Sequence, residues 1–412
     1  MRVADEGDAE AARSLLSARV VRERAHRMLA LGLDGKLGHF AVDLGRLEAA
    51  ADAVAETTRA AYPDLDVPVH ARWRHFEAGG VDRWGALSDA VGWSGAERAR
   101  AAVDLAIVSV LLDAGAGPDW RYAEGRTGEV YARSEGLAVA SFDMFVSGLF
   151  SSRPAEPFRV DAEALAALSA EDLGASFQAG PENPLVGLEG RATLLNRLGQ
   201  AVAAAPDVFG QEDEPRPGGL FDQLAAVGSA VPAPAILDAL LRHLGSVWPG
   251  RLQLGGVELG DTWRHPALAA PDATAGLAPF HKLSQWLAYS LLEPLTEAGL
   301  QVTDVDGLTG LPEYRNGGLF LDTGVLALKD PAVGARSHPV GSELIVEWRA
   351  LTVALLDRIA EQIRARLGVE APEFPLAKVL EGGTWATGRR LALAARPDGS
   401  PPLRVESDGT VF

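Results

Sequence analysis

Apolar residues recur every three to four positions through the longest stretches of this chain, and that spacing predicts helices. The clearest run starts after Ser342, a residue suited to an N-cap. It sets Leu344, Trp348, Leu351, Leu355, Ile359, Ile363 and Leu367 on one face before Gly368 stops it. Near the start, AEAARSLLSARVVRERAHRML and GRLEAAADAVAETTRAAY are rich in Ala, Arg, Leu and Glu and predict further helices. From Arg98 to Leu112 a mostly apolar helix with Asp104 and Ser109 inside it ends at the Gly-rich DAGAG of 113–117. Helices resume from Leu137 and from Asp161.

Between these runs the period fails. HARWRHFEAGGVDRW (70–84) crowds aromatic, basic and Gly residues together and reads as an ordered loop. Trp120, Tyr122, Val130 and Tyr131 flank Gly125–Gly128 as in a short hairpin, and RLQLGGVELG (251–260) alternates around a Gly pair. RRLALAARPDGSPPLRVESDGTVF (389–412) has two turn signals between short apolar runs and predicts a further hairpin. GQEDEPRPGG (210–219) joins acids, prolines and glycines and predicts a boundary or an exposed loop. The expected fold is therefore mainly α with a few short β-hairpins, as two helical lobes, 1–210 and 220–412, sharing one cleft, or as one continuous domain.

Composition narrows the function classes. Hydrophobic residues at 47% and charged residues at 23% suit a folded chain with a sizeable core. A formal net charge of -18 disfavours a nucleic-acid polymer as partner, because phosphate neutralisation needs a basic surface. A small phosphorylated ligand stays open, since a few Arg or Lys side chains can hold it. The absence of cysteine removes disulfides, thiolate nucleophiles and Cys-ligated zinc. The first residues carry early acids and no apolar run like a secretory signal, and no stretch reaches the roughly 20 apolar residues of a membrane span. The cytoplasm is the expected compartment, with no membrane association.

Several common chemistries are missing. No G-x-S-x-G elbow and no G-x-x-x-x-G-K-S/T phosphate loop occurs, and the GAG of 115–117 lacks the third glycine of a dinucleotide fingerprint. His70 and His75 are five residues apart, which does not set both on one helix face for a metal. No metal site and no cofactor is expected.

RWRHFEAGGVDR (72–83), SVLLDAGAGPDWRY (109–122), RSEGLAVASFDMF (133–145), DGLTGLPEYRNGGLFLDTGVL (306–326) and GSELIVEWRALTV (341–353) occur in order along the chain. Together they resemble the uracil-catabolism proteins of the fungal and bacterial pathway that degrades uracil through a ring-opened nucleotide. A more distant resemblance is to the queuosine-salvage N-glycosidases, which remove the base from queuosine 5'-phosphate on an all-helical fold similar to DNA glycosylases. PFHKLSQWL (279–287) looks like their F-Y-K-x-x-Q segment, LTGLPEYR (308–315) like their L-T-x-F-A-D-Y-R, EWRA (347–350) like their E-I-R-A, and VLEGGTW (379–385) like an Asp-containing stretch ending in Trp. AALSAEDLGASFQAGPENPLVGLEGRATLLNRLG (166–199) fits their T-L-E-E-L-x-x-x-F region and the helix after it.

The resemblance implies that Glu313 stands where those glycosidases keep the catalytic Asp, next to Tyr314 and Arg315. Their pocket Phe becomes Leu311, which weakens aromatic stacking and suits a smaller leaving group. Phe280, Lys282, Trp385 and Glu381 take the remaining matched positions, Glu381 one residue out of register. A carboxylate near C1 can stabilise an oxocarbenium-like transition state and position or deprotonate water, and Glu381 or Asp306 could assist departure of the nitrogen.

Each residue also has a plainer role. Glu313 alone reads as an exposed loop acid after Pro312, Arg315 as a structural ion pair instead of a phosphate ligand, and Lys282 as a solvated side chain. Trp385 suits a pocket wall or the core. His75 with Arg72, Arg74 and Glu77 forms either a polar lid or a hydrogen-bond cluster between helices, and Asp113 would cap its helix. Glu347 and Arg349 serve the fold, Glu347 by anchoring a neighbouring loop. The expected function is hydrolysis of the N-glycosidic bond of a ribosylurea-like or ring-opened uridine nucleotide. An amide hydrolase acting on the opened ring, or a non-catalytic partner of the ring-opening enzyme, is the alternative.

Overall fold

A computed structural model describes residues 6–93, 95–113, 115–210, 215–248 and 252–406. Among the described residues helices dominate, and the strands come only in two-stranded pairs. The chain groups into two units, one made of residues 1–70, 250–285 and 304–412, the other of 71–249 and 286–303. The break expected at 210–220 therefore falls within one unit.

The first unit is built around the helix Glu343–Leu367. Ser342 occupies its N-cap position and Gly368 ends it at φ 74, as the pattern predicts. Val346, Ala350, Val353, Ala354 and Leu356 are buried as well as the predicted stripe, so the helix is enclosed around its circumference from Leu344 to Leu356, while Arg358, Glu361 and Ala365 are exposed. The helices Ala18–Leu33 and Leu47–Ala61 pack along it. Glu347 lies buried within it and accepts the amides of Gly38 and His39, both at 3.0 Å, so it does anchor a neighbouring loop. Burial pushes its carboxyl up, but His265 and these two amides hold it below the ordinary range. Strands Phe40–Val42 and Leu326–Leu328 pair antiparallel, and the Gly255–Gly256 turn joins the predicted hairpin Gln253–Leu254 to Val257–Glu258.

The predicted C-terminal hairpin is not what forms. Residues Trp385–Ala395 are a helix, and Arg404–Glu406 pairs in parallel with Ser337–Pro339. Ala and Leu are strong helix formers, and the helix packs along Tyr314–Asp322, so tertiary packing reinforces propensity. Residues 407–412 lie outside the described part.

In the second unit the expected hairpin pairs Tyr122–Ala123 with Val130–Tyr131. The segment read as an ordered loop holds one helical turn, Arg72–His75, and Asp82 then caps the helix Arg83–Val91. Asp104, fully buried in the helix Gly95–Leu111, accepts Arg216 Nη2 at 2.6 Å, Gly218 N at 2.6 Å and Val160 N at 3.0 Å. Residues 211–214 are outside the described part, but Arg216 to Gly219 are buried, because a buried carboxylate needs that guanidinium. The stretch is thus no exposed loop there. Asp113 does not merely cap its helix: it pairs with Arg72 at 2.8 Å and accepts Ser134 Oγ at 2.9 Å. Among the described residues, no helix is long and apolar enough to cross a membrane.

Candidate functional site

The two segments that carry most of the candidate residues are joined by the buried side chain of Gln285. Gln285 accepts the Thr309 amide at 2.8 Å and donates to Thr309 Oγ1 at 2.6 Å and to the Phe280 carbonyl at 3.1 Å. Both residues are wholly buried, so this polar contact is an alternative to unpaired backbone groups. It ties the start of the helix Lys282–Glu297 to the LTGLPEYR loop.

The same helix start is held from a second side. Asp261 Oδ2 accepts the Lys282 amide at 3.0 Å, and Arg349 grips Asp261 through two bonds of 2.8 Å. Burial works to raise the Asp261 carboxyl, but Arg349, Trp263 and the Lys282 amide keep it well below the usual carboxylate range. Arg349 also lies over the Phe280 ring, 4.1 Å from its centroid, so this buried ring packs against a guanidinium. Between Phe280 and Lys282, His281 has φ 48, a left-handed backbone costing on the order of 1–3 kcal/mol for a side chain other than glycine. Its Nε2 meets the Leu15 carbonyl at 2.9 Å, and burial holds its imidazole below the ordinary range.

Glu313 is the N-cap of the helix Tyr314–Asp322 and is 8% exposed. Its carboxylate accepts the Arg315 amide at 2.6 Å and the Asn316 amide at 2.5 Å. It is therefore no exposed loop acid. Caps are ordinarily Ser, Thr, Asp or Asn, so a buried Glu here costs desolvation that a hydroxyl cap would avoid. Burial pushes its carboxyl above the ordinary range, against the pull of the two amides and of the positive charges of Lys282 and His70. Leu311 is buried, with its carbonyl accepting Asn316 Nδ2 at 3.2 Å. Tyr314 is half-buried under Arg315, whose guanidinium lies 4.9 Å from the ring centroid and donates to the Gly399 carbonyl at 2.8 Å. That contact makes Arg315 a clamp on the C-terminal segment.

Glu381 comes to this cluster through a π-helical turn, Leu380–Thr384, in which Gly383 packs against the helix Leu47–Ala61. A Cβ at Gly383 would stand 2.5 Å from Thr58 Oγ1 and 2.5 Å from Val54 Cγ1, so only glycine allows the approach. Such turns insert one residue and re-aim the side chains around them, often at functional sites. Glu381 Oε2 meets His70 Nδ1 at 2.6 Å, and the His70 amide donates to the Ala377 carbonyl at 3.1 Å. Burial, then Glu381, raises the nearby Tyr62 phenol. Trp385 follows directly, half-buried, with Arg389 5.9 Å from its ring centroid.

Glu313, Lys282, His70 and Glu381 thus form one electrostatic neighbourhood in the first unit. Asp306 is committed elsewhere, to Arg364 at 2.6 Å and to the Leu376 amide at 2.5 Å. His75 belongs to the second unit, where its Nδ1 is 3.1 Å from Arg72 Nη1 and its ring 6.3 Å from that of Trp286. His70 is the participant that sequence reasoning missed. Its partner lies 311 residues away, and no local spacing signals the pair. Among the described residues no three His, Asp or Glu side chains gather as a metal site.

Comparison with known proteins agrees with the five ordered strings. Protein urg3 of Schizosaccharomyces pombe is 41% identical over 414 residues, covering 98% of this chain and 99% of that protein. Uracil catabolism protein 4 of Lachancea kluyveri is 38% identical over 416 residues, covering 92% and 93%. A family model described as a protein of unknown function, DUF1688, matches residues 14–412. With the match running through nearly the whole chain, the protein belongs to the DUF1688 family.

Proposed function

We propose that this protein is a cytoplasmic enzyme of uracil catabolism that hydrolyses the N-glycosidic bond of a ribosylurea-like or ring-opened uridine nucleotide. The observation that carries the reading is Glu313: a buried carboxylate at a helix N-cap, raised by desolvation, with Lys282 and His70 as its charged neighbours. A buried acid with specific charge partners is where catalytic carboxylates are found. One relative at 38% identity bears a name that puts it in uracil catabolism, which supports the choice of pathway.

In this reading Glu313 stabilises positive charge developing at C1 of the sugar and takes a proton from the attacking water. Buried Leu311 offers an aliphatic wall where a stacking ring would favour a large planar base, which suits a small ureide. Lys282, Tyr314 and Trp385 surround the substrate, and Arg315 orders the loop. The same reading expects a helical fold similar to the glycosylases and an association with the ring-opening enzyme that supplies the substrate.

Purified protein incubated with ribosylurea 5'-phosphate is expected to release urea and ribose 5-phosphate, and Glu313→Gln to lose that activity by about 10²-fold or more. The absence of free urea, or a Glu313→Gln variant matching the parent, overturns it. With the ring-opened uridine nucleotide as substrate instead, release of its three-carbon acid with the sugar still attached to the ureide would show an amide hydrolase.

A further inference from the structure

We infer that His70 is a second catalytic residue, the proton donor to the departing nitrogen, and that Glu381 is its positioning residue. The inference rests on the glycosidase reading above and goes beyond it by assigning the acid. A ureide nitrogen is a poor leaving group as an anion, so cleavage requires a proton delivered as the bond breaks.

The members of the cluster differ in their fitness for this task. Glu313 turns both carboxylate oxygens to backbone amides, which places it as an acceptor, and burial raises its carboxyl toward the range of a general base. The Tyr62 phenol is raised and keeps its proton. A lysine ammonium ordinarily holds its proton at neutral pH. Histidine is the side chain that ordinarily exchanges a proton there. The 2.6 Å contact of His70 Nδ1 with Glu381 Oε2 turns that nitrogen toward a carboxylate, so a protonated ring donates Nδ1–H to Glu381 and carries its second N–H on Nε2. The His70 amide is bonded to Ala377 and its ring to Glu381, so the 377–381 segment holds the residue at backbone and side chain together.

In the step, the C1–N bond breaks and its electron pair goes to nitrogen, which takes the Nε2 proton of the His70 imidazolium. Water adds to the oxocarbenium carbon and gives a proton to Glu313. One water is consumed, and the products are a sugar with a C1 hydroxyl and a ureide with a new N–H. Glu313 returns its proton to solvent and His70 regains one.

The test compares two substrates within each preparation, so that a lowered folded fraction cancels: ribosylurea 5'-phosphate, and 4-nitrophenyl ribofuranoside 5-phosphate, whose leaving group departs as a stable anion. His70→Asn, which keeps a donor toward Glu381, should lose about 10²–10⁴-fold in kcat on the ureide and far less on the nitrophenyl compound. Glu381→Gln should show the same bias at smaller size with KM unchanged, a split that a merely structural role would not produce. Glu313→Gln should lose both activities. Equal losses on the two substrates for His70→Asn, or none on the ureide, overturn the assignment. Parent-like turnover by Glu313→Gln, or no turnover by the parent chain, overturns the glycosidase reading itself and the assignment with it.

Discussion

Gln285→Leu is the sharpest test of how this site is assembled. The substitution keeps volume and removes three hydrogen bonds, at 2.8, 2.6 and 3.1 Å, from a wholly buried position. Two backbone groups of buried residues lose this partner, the Thr309 amide and the Phe280 carbonyl. At about 1–3 kcal/mol for each buried group left unsatisfied, the loss is roughly 2–6 kcal/mol, less the small gain from burying a more apolar side chain. Because the cost falls where Lys282–Glu297 meets the LTGLPEYR loop, local stability should weaken before global stability does. Hydrogen exchange at the Thr309 amide should accelerate by at least about 30-fold, since each 1.4 kcal/mol is a factor of ten. Unchanged exchange at Thr309 with a thermal midpoint equal to the parent's would refute the view that this side chain joins the two segments. Gln285→Glu separates the bonds, keeping the acceptor for the amide and losing the donor, and should fall between the two.

Gly388→Ala should destabilise by about 1–3 kcal/mol, seen as a lowered thermal midpoint, because the added Cβ would stand 2.2 Å from the Arg315 carbonyl oxygen and must push apart the helices Trp385–Ala395 and Tyr314–Asp322. A midpoint equal to the parent's would refute that packing. Acid should also destabilise the chain in a defined window. Glu347 and Asp357 are held below the ordinary carboxylate range, the first by His265 and two amides and the second by His26 and Arg22, both against burial. A lowered folded pKa means that the unfolded chain binds the extra proton first. Their stabilisation is therefore complete above the ordinary values near 4 and is lost as pH falls through the folded ones. Melting followed from pH 7 to pH 3 should show the drop below about pH 4, and a shallower drop in Glu347→Gln. A drop of equal steepness in that variant would assign it to other groups.

What was legible in the sequence is what local physics decides. The helix Glu343–Leu367 could be read to its ends because its apolar period and closing Gly368 act within a few residues. Glu347 could be read as an anchor because a charge beside an apolar stripe needs a partner, although Gly38 and His39 could not be named. The misreadings came from pairings across the chain. Arg216 looked like part of a solvated linker because its carboxylate, Asp104, is 112 residues earlier. The run RRLALAARP carries no period that separates strand from helix, and its packing against Tyr314–Asp322 decides the outcome. At the site, Glu313 was named through resemblance and its cap geometry was not foreseen. His70 had no signal at all, since its contact with Glu381 depends on a glycine-permitted turn more than 300 residues later.

The discontinuity of the first unit bears on how the protein is made. Helices Ala18–Leu33 and Leu47–Ala61 leave the ribosome early, yet the helix they enclose, Glu343–Leu367, is synthesised roughly 280 residues later. At about 5–20 residues per second that is an interval of roughly 15 to 60 seconds. During it the faces of these two helices that pack along the central helix have nothing there to cover them. Residues 71–249, a continuous stretch of the other unit, complete their synthesis within that interval. Ribosome-bound chains arrested before residue 343 should therefore bind a hydrophobe-seeking chaperone through the first 61 residues, and chains arrested after residue 367 should release it.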